Sequence, residues 1–265
     1  MNWDAEMNVA QVGENSYTAN VGEQWSSLQG AHGGVVAALT VRAAQQTLTA
    51  LGVEPNTTLR AATFGYASGN MVGDLAIGVE VIRRGRTMVT TQVSVVQNDK
   101  TTTVGRLHFA TPWEGVEFSD APAPPVKPSE LLRIDGNGLK RHINNVETHM
   151  DPATAPLSGA PRGEWLAWCR PHHGGTFDAT WLTMFGDYFP PAVFARNTEP
   201  SRAVTIEYSL QIHSAAGSWT IADDEYLPSR MHVFHSHDGF AVEDGWIWLP
   251  NGHLLATVRQ TRLAG

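Results

Sequence analysis

One order of elements, a short strand, a helix and then a run of antiparallel strands, is written twice along the 265 residues, and few architectures can satisfy it. Residues 33–50 carry Val35, Leu39, Ala43, Ala44 and Leu48 at helical spacing, opened by Gly33-Gly34 and stopped at Gly52. From 57 to 110 only strands follow: runs rich in Val, Thr and Ile, with turn signals at Ser68-Gly69-Asn70, Arg84-Gly85 and Asn98-Asp99. Within 87–97, Val89, Val93 and Val95 take one face and Thr90, Gln92 and Ser94 the other, the alternation of a half-buried antiparallel strand. In the second half, strand candidates at about 143–150 and 164–170 precede a helical stretch at about 178–189 that breaks at Pro190-Pro191. Strands resume over 203–213, roughly 217–226, 230–248 and 253–263, with a turn at Pro250-Asn251-Gly252.

A single helix followed by strands can bury its apolar stripe only by being wrapped in the sheet. The expected class is therefore α+β, with two tandem hot-dog units, each a central helix wrapped by an antiparallel sheet. Pro112, Pro122, Pro124, Pro125 and Pro128 interrupt any period between 112 and 130. The expected division is a first unit at 1–116, a linker at 117–132 and a second unit at 133–265, which would carry the chemistry.

Composition removes several function classes. The formal net charge is −8, against a general binder of nucleic-acid backbones, which relies on clustered Lys and Arg. The single cysteine, Cys169, cannot pair within the chain, which fits a reducing cytoplasm. The beginning shows no basic segment followed by an apolar run, and no stretch approaches 18 uninterrupted apolar residues, so a cytoplasmic protein without a membrane span is expected.

Three polar residues of the second half stand out. Asp187 falls beside the helical arc Trp181, Leu182, Met184, Phe185 and Tyr188, where it is either a solvated helix-end carboxylate or a site residue. Thr205 lies on the strand face Thr205, Glu207, Ser209, Gln211 and His213, opposite Val204, Ile206, Tyr208, Leu210 and Ile212; such a polar face points to water or to a polar cleft. Gln260 shares a face with Leu254, Ala256 and Val258, so it is a satisfied amide at the core's rim or a site residue. Arg83, Arg84 and Arg86 form the densest basic patch, either a solvated hairpin end or a contact for an anionic ligand such as a nucleotide phosphate.

These features coincide with a resemblance. The run Gly30-Ala31-His32-Gly33-Gly34-Val35-Val36-Ala37-Ala38, the hairpin 79–87 leading into 92–97, Thr205-Ile206-Glu207-Tyr208-Ser209 through His213, and Leu255-Ala256-Thr257-Val258-Arg259-Gln260 recur in this order in the double hot-dog acyl-CoA thioesterase II family, which the chain resembles over roughly 15–112 and 140–265. In that family a helix aspartate, a strand threonine or serine and a last-strand glutamine act together on a water; by motif these match Asp187, Thr205 and Gln260. The resemblance implies an acyl-CoA substrate, an acyl chain lying between the halves, no cofactor, and a homo-oligomer, whose formation the free sheet edges would serve. Asp187 would orient or deprotonate the water, with Thr205 and Gln260 holding it, and N–H groups of Gly33 or Gly34 at the helix start would face the oxyanion. His32 is either substrate-facing or a helix-entry residue. Arg84 and Arg86 join it, Gly33 and Gly34 as expected substrate contacts.

Rival readings are weaker. His232, His235 and His237 with Asp238 invite a metal, but an exposed strand end explains them, and no metal is expected. A hydratase of this fold needs an aspartate followed by a histidine five residues on, whereas Asp178 is followed there by Thr183 and Asp187 by Ala192. No Gly-x-Ser-x-Gly elbow surrounds Ser94 or Ser209. A non-catalytic acyl-CoA-binding protein has no need of Asp187, Thr205 and Gln260 together.

Overall fold

The computed structural model describes residues 3–135, 141–172 and 175–265. Parts of the expected second unit, 136–140 and 173–174, lie outside the described residues, as do 1–2 at the start of the first. The first half comprises α1 (Trp3–Glu6), β1 (Val9–Gly13), β2 (Ser16–Val21), β3 (Ser26–Ser27), β4 (Gly30–Ala31), α2 (Gly33–Ala50), β5 (Thr58–Tyr66), β6 (Gly73–Arg84), β7 (Met88–Gln97) and β8 (Lys100–Ala110). The second comprises β9 (Leu132–Ile134), β10 (Val146–Met150), β11 (Glu164–Pro171), β12 (Thr176–Asp178), α3 (Ala179–Asp187), β13 (Ala203–Ile212), β14 (Ser218–Thr220), β15 (Leu227–His237), β16 (Phe240–Trp248) and β17 (Leu254–Ala264). Residues 111–131 carry neither helix nor strand.

Thirteen strands form one antiparallel sheet in the order β1-β2-β6-β7-β8-β5-β13-β17-β16-β15-β11-β10-β9. The halves are joined edge to edge where β5 pairs with β13, Phe64 opposite Tyr208, and these two rings stack at 5.8 Å. The expected hot-dog pair is thus a continuous sheet around two helices, and among the described residues its edge strands are β1 and β9.

The sheet brings the helices together, and that changes what they bury. The stripe Val35, Leu39, Ala43, Ala44 and Leu48 is buried as its spacing requires, but every residue from Gly34 to Val41 is buried too, and so are all nine residues of α3. Each helix lies against the other as well as against strands, so neither keeps a solvent face over that length. The contact is close at Gly34. A Cβ there would meet the Met184 carbonyl oxygen at 2.6 Å and the Asp187 Cβ at 3.0 Å.

Two strand readings are corrected. Residues 230–248 form a hairpin rather than one run, because Asp238 (φ 50°) and Gly239 (φ 76°) both take the positive φ of a two-residue type I′ turn. Of 217–226 only Ser218–Thr220 is a strand, and it pairs with β12 outside the main sheet.

Gly34→Ala should destabilise the protein by about 1–3 kcal/mol, because the new methyl meets backbone rather than a flexible side chain. Gly115→Ala, with nothing within 4 Å of the added carbon, should be neutral. Urea unfolding of the two variants checks this, and equal midpoints would contradict the close crossing.

Candidate active site

The place where the start of α2 meets the end of α3 assembles the polar residues. Asp187, in the last turn of α3, is only 8% exposed, so it is not a solvated helix-end carboxylate. Its carboxylate accepts from the Gly34 N–H, in the first turn of α2, where helix N–H groups favour negative charge. Thr205 Oγ1 stands 3.5 Å from Asp187 Oδ1 and donates at 2.9 Å to Gln260 Oε1, and Gln260 Nε2 donates to the Gly186 carbonyl at 3.4 Å. Asp187, Thr205 and Gln260 are therefore brought together.

Thr205 reaches this cluster through a β-bulge, not through simple alternation. In the β13–β17 ladder Thr205 pairs with Arg262 and Tyr208 with Gln260, while Ile206 is passed over. Paired residues share a face, so the bulge puts Thr205 on the inward face with Tyr208 and corrects its expected place on the polar face with Glu207.

Sequence reasoning missed three neighbours. Arg262 Nη1 donates to Thr205 Oγ1 at 2.7 Å, and its Nη2 donates to Glu243 Oε1 at 3.1 Å. Arg262 is 4% exposed and Glu243 fully buried; the other oxygen of Glu243 accepts from the Ala192 N–H at 2.5 Å. The signal was present: Arg262 follows Gln260 by two positions on the same buried face, and Glu243 sits among Ala241, Gly245 and Ile247 on the buried face of β16. The third is Tyr66, at the end of β5. A Cβ on Gly33 would meet Asp187 Oδ2 at 2.9 Å and Tyr66 Oη at 3.2 Å, so these two oxygens flank the same small space. Tyr66 Oη, His32 Nδ1 and Arg262 Nε are buried polar atoms without a protein partner, and buried polar atoms ordinarily have one.

His32 precedes α2 as its N-cap residue, and its ring is buried. A carbonyl can only accept, so Nε2 carries the proton and donates to the Asp187 carbonyl at 3.2 Å. The ring also stacks on His142 at 4.6 Å. Arg84 and Arg86 are exposed, and Arg84 Nη2 donates to the Gly52 carbonyl at the far end of α2, roughly 27 Å of helix from Gly33. The structure does not bring that hairpin to Asp187. His235 and His237 stack at 6.0 Å on the exposed end of β15, and among the described residues no three His, Cys, Asp or Glu side chains group to hold a metal. A cavity of about 250 Å³ beside β9 and β10, with Ile134, Val146 and Thr148 among its lining residues, touches none of Asp187, Thr205 and Gln260.

The two halves share their bulges, which gives an internal comparison. Leu59 and Ala61 flank a bulge opposite Phe109 and His108, as Thr205 and Glu207 do opposite Arg262 and Thr261. Following the register, Thr205 corresponds to Leu59, Gln260 to Leu107, Arg262 to Phe109 and Glu243 to Thr91. At these positions the fold is content with Leu, Leu, Phe and Thr. The opposite helix crossing is closed in a different way: Arg42 bridges Asp4 at 3.0 Å and Asp178 at 3.4 Å, and Trp3 Nε1 donates to Thr180 Oγ1 at 3.0 Å.

Burial pushes Asp187 up to about 6, opposed by the Arg262 cation and by the Gly34 and Thr205 donors. Burial brings His32 down to about 4, against the raising effect of its bond to the Asp187 carbonyl and with the help of Arg262. Near neutral pH the site therefore holds a carboxylate and a neutral imidazole. The Tyr66 hydroxyl is pushed well above its ordinary value by burial and by Asp187.

These opposite shifts compensate in stability. As pH falls from about 6.5 toward 4, the unfolded chain gains a His32 proton that the fold refuses, which destabilises; from about 6 toward 3.8, the fold gains an Asp187 proton that the unfolded chain lacks, which stabilises. Asp187→Asn leaves only the first effect. Relative to the wild type it should be more stable at pH 8 and lose that advantage by roughly 1 kcal/mol per pH unit between about 6 and 4. Urea unfolding at pH 4.5, 6 and 8 reads the difference, and parallel pH curves for the two proteins would refute it.

Comparison with protein-family models matches residues 21–110 to the acyl-CoA thioesterase N-terminal domain and residues 116–264 to the acyl-CoA thioesterase C-terminal domain. Comparison with curated proteins finds no match. Among solved structures, a conserved hot-dog-fold protein from Alicyclobacillus acidocaldarius is similar with a TM-score of 0.85 at 18% identity, over 99% of this chain and 97% of that one. An acyl-CoA thioesterase II, TesB2, from Mycobacterium marinum is similar with a TM-score of 0.77 at 20% identity, over 100% and 97%. At such identities the structural likeness carries the fold, which is the double hot dog. Among the described residues no helix is long and apolar enough to cross a membrane.

Proposed function

The chain belongs to the acyl-CoA thioesterase family and is a thioester hydrolase, and from that premise we propose that it cleaves an acyl-CoA with a water held among Asp187, Thr205 and Gln260. The observation that carries this reading is the contrast between halves. Thr205, Gln260, Arg262 and Glu243 stand where the first half has Leu59, Leu107, Phe109 and Thr91, so packing alone does not call for them.

In this reading the Asp187 carboxylate takes a proton from the water as its oxygen attacks the thioester carbonyl carbon. The tetrahedral oxyanion collapses, the C–S bond breaks, and the CoA sulfur leaves with the pair of electrons and takes up the proton that Asp187 accepted, giving the free acid and CoA thiol and restoring the carboxylate. A carboxylate near pKa 6 is a stronger base than an exposed one yet is still ionised at neutral pH. Thr205 and Gln260 fix the water's orientation. Because Gly34 N–H already serves Asp187, the unpartnered Tyr66 hydroxyl joins the first-turn N–H groups of α2 as a donor for the developing oxyanion. Gly33 and Gly34 matter as bare backbone, since a side chain at Gly33 would occupy the space between Asp187 and Tyr66. The neutral ring of His32 ties the start of α2 to the end of α3.

Release of CoA thiol from saturated, branched and aromatic acyl-CoAs tests the reading. The wild type should turn over, and Asp187→Ala and Gln260→Ala should each lose at least about 100-fold in kcat while remaining folded. Acyl-CoA bound in calorimetry but not hydrolysed would favour the non-catalytic binder instead.

A further inference from the structure

We propose that the buried Arg262–Glu243 pair is a positioning device for the hydrolytic centre, in which Glu243 aims the Arg262 guanidinium and Arg262 holds the Thr205 hydroxyl in line with the water. The inference rests on Asp187 being the water-activating carboxylate.

The hydrogen-bond directions leave Thr205 little choice. Arg262 Nη1 donates to Thr205 Oγ1 at 2.7 Å, so that oxygen is an acceptor on one side, and its own proton must go to Gln260 Oε1 at 2.9 Å or toward Asp187 Oδ1 at 3.5 Å. Arg262 thus converts a freely rotating hydroxyl into a donor aimed at the Asp187–Gln260 side. Glu243 holds the other arm of the guanidinium at 3.1 Å, and the Ala192 N–H fixes Glu243 in turn. The chain runs from the segment after α3, through β16 and β17, to the bulge on β13.

Stability does not account for the pair. A buried ion pair is often no more stabilising than apolar residues of similar volume, and the corresponding first-half pair, Phe109 and Thr91, carries no charge. The charge also acts on the site. The ionisable groups facing Asp187 are His32 before α2, Tyr66 on β5, Tyr208 on β13 and Arg262 on β17, with Glu243 on β16 behind the arginine. Among them Arg262 is the permanent cation, and it opposes the effect of burial on Asp187.

The test is the neutral double variant Arg262→Met with Glu243→Gln, in which the glutamine can still accept from Ala192, measured beside Arg262→Lys and Asp187→Asn on whichever acyl-CoA the wild type hydrolyses. The double variant should unfold at a urea midpoint equal to or above that of the wild type. Its kcat should fall at least 30-fold with KM within threefold, and the acid limb of its kcat profile should move upward from about pH 6. Arg262→Lys, which keeps the charge without the two-armed grip, should lose kcat but keep the limb near its wild-type position. Wild-type kcat and an unmoved limb in a folded double variant, with Asp187→Asn inactive, would overturn this inference and leave the proposed function standing. Full activity in Asp187→Asn would overturn both. Should the double variant fail to fold, Arg262→Lys decides: wild-type kcat there would overturn the two-armed positioning, and a lowered kcat with the limb in place would support it.

Discussion

The close approach of two glycines at the start of α2 to the end of α3 is the contact on which the rest of the site depends. Without side chains at Gly33 and Gly34, the first turn of α2 reaches the Met184 carbonyl and the Asp187 side chain. A carboxylate is thereby largely buried but faced by helix N–H groups, which favour its charge. Burial against that field and the Arg262 cation, the larger counterweight, places it near pKa 6, so that it is ionised at neutral pH. The approach is possible because the sheet does not stop between the halves. The β5–β13 junction, with Phe64 stacked on Tyr208, lets both helices lie in one interior.

The bulges are the second device. An uninterrupted β13 would turn Thr205 to the opposite face from Tyr208, away from Gln260 and Arg262; one skipped residue brings it in. The same irregularity in β5 holds Leu59, which shows that the backbone geometry belongs to the repeated fold while the polar side chains belong to one copy. The second crossing has been turned to structure. Arg42, Asp178, Asp4 and Trp3 tie the amino-terminal turn across it.

Much of this was legible in the sequence and some was not, for physical reasons. Helix α2 and the strands from 57 to 110 follow from period and turn residues because each half-buried element writes its own burial into its spacing. The hairpin within 230–248 was also there to read, in Asp238-Gly239, a pair suited to two successive positive φ values. Asp187 and Gln260 were visible as polar residues beside or upon apolar faces. Thr205 was found by motif but placed on the wrong face, since a bulge leaves no mark on the alternation until its partner strand is known. Arg262 and Glu243 were half legible: each shares a face with buried residues of its own strand, but only the β16–β17 pairing, with Glu243 opposite Gln260, reveals two buried charges side by side. Tyr66 joins the site through the helix crossing, which no local pattern contains.

A polar cluster of this kind needs a scaffold that does not lean on it, and α3 shows how that is arranged. Trp181 and Phe185, four residues apart on one side of the helix, stack at 4.5 Å, and the aromatic packing continues to Phe177 at 4.9 Å and through Phe189 to Trp165 at 4.2 Å. Large buried rings of this kind supply much of the apolar burial that holds a helix in place. Asp187 lies two residues beyond Phe185, about 200° around the helix, and so faces away from the aromatic column toward α2 and the bulge. The anchoring side of α3 and its chemical side are therefore different sides. The helix can carry a desolvated carboxylate because the aromatic packing that anchors it lies on the other side.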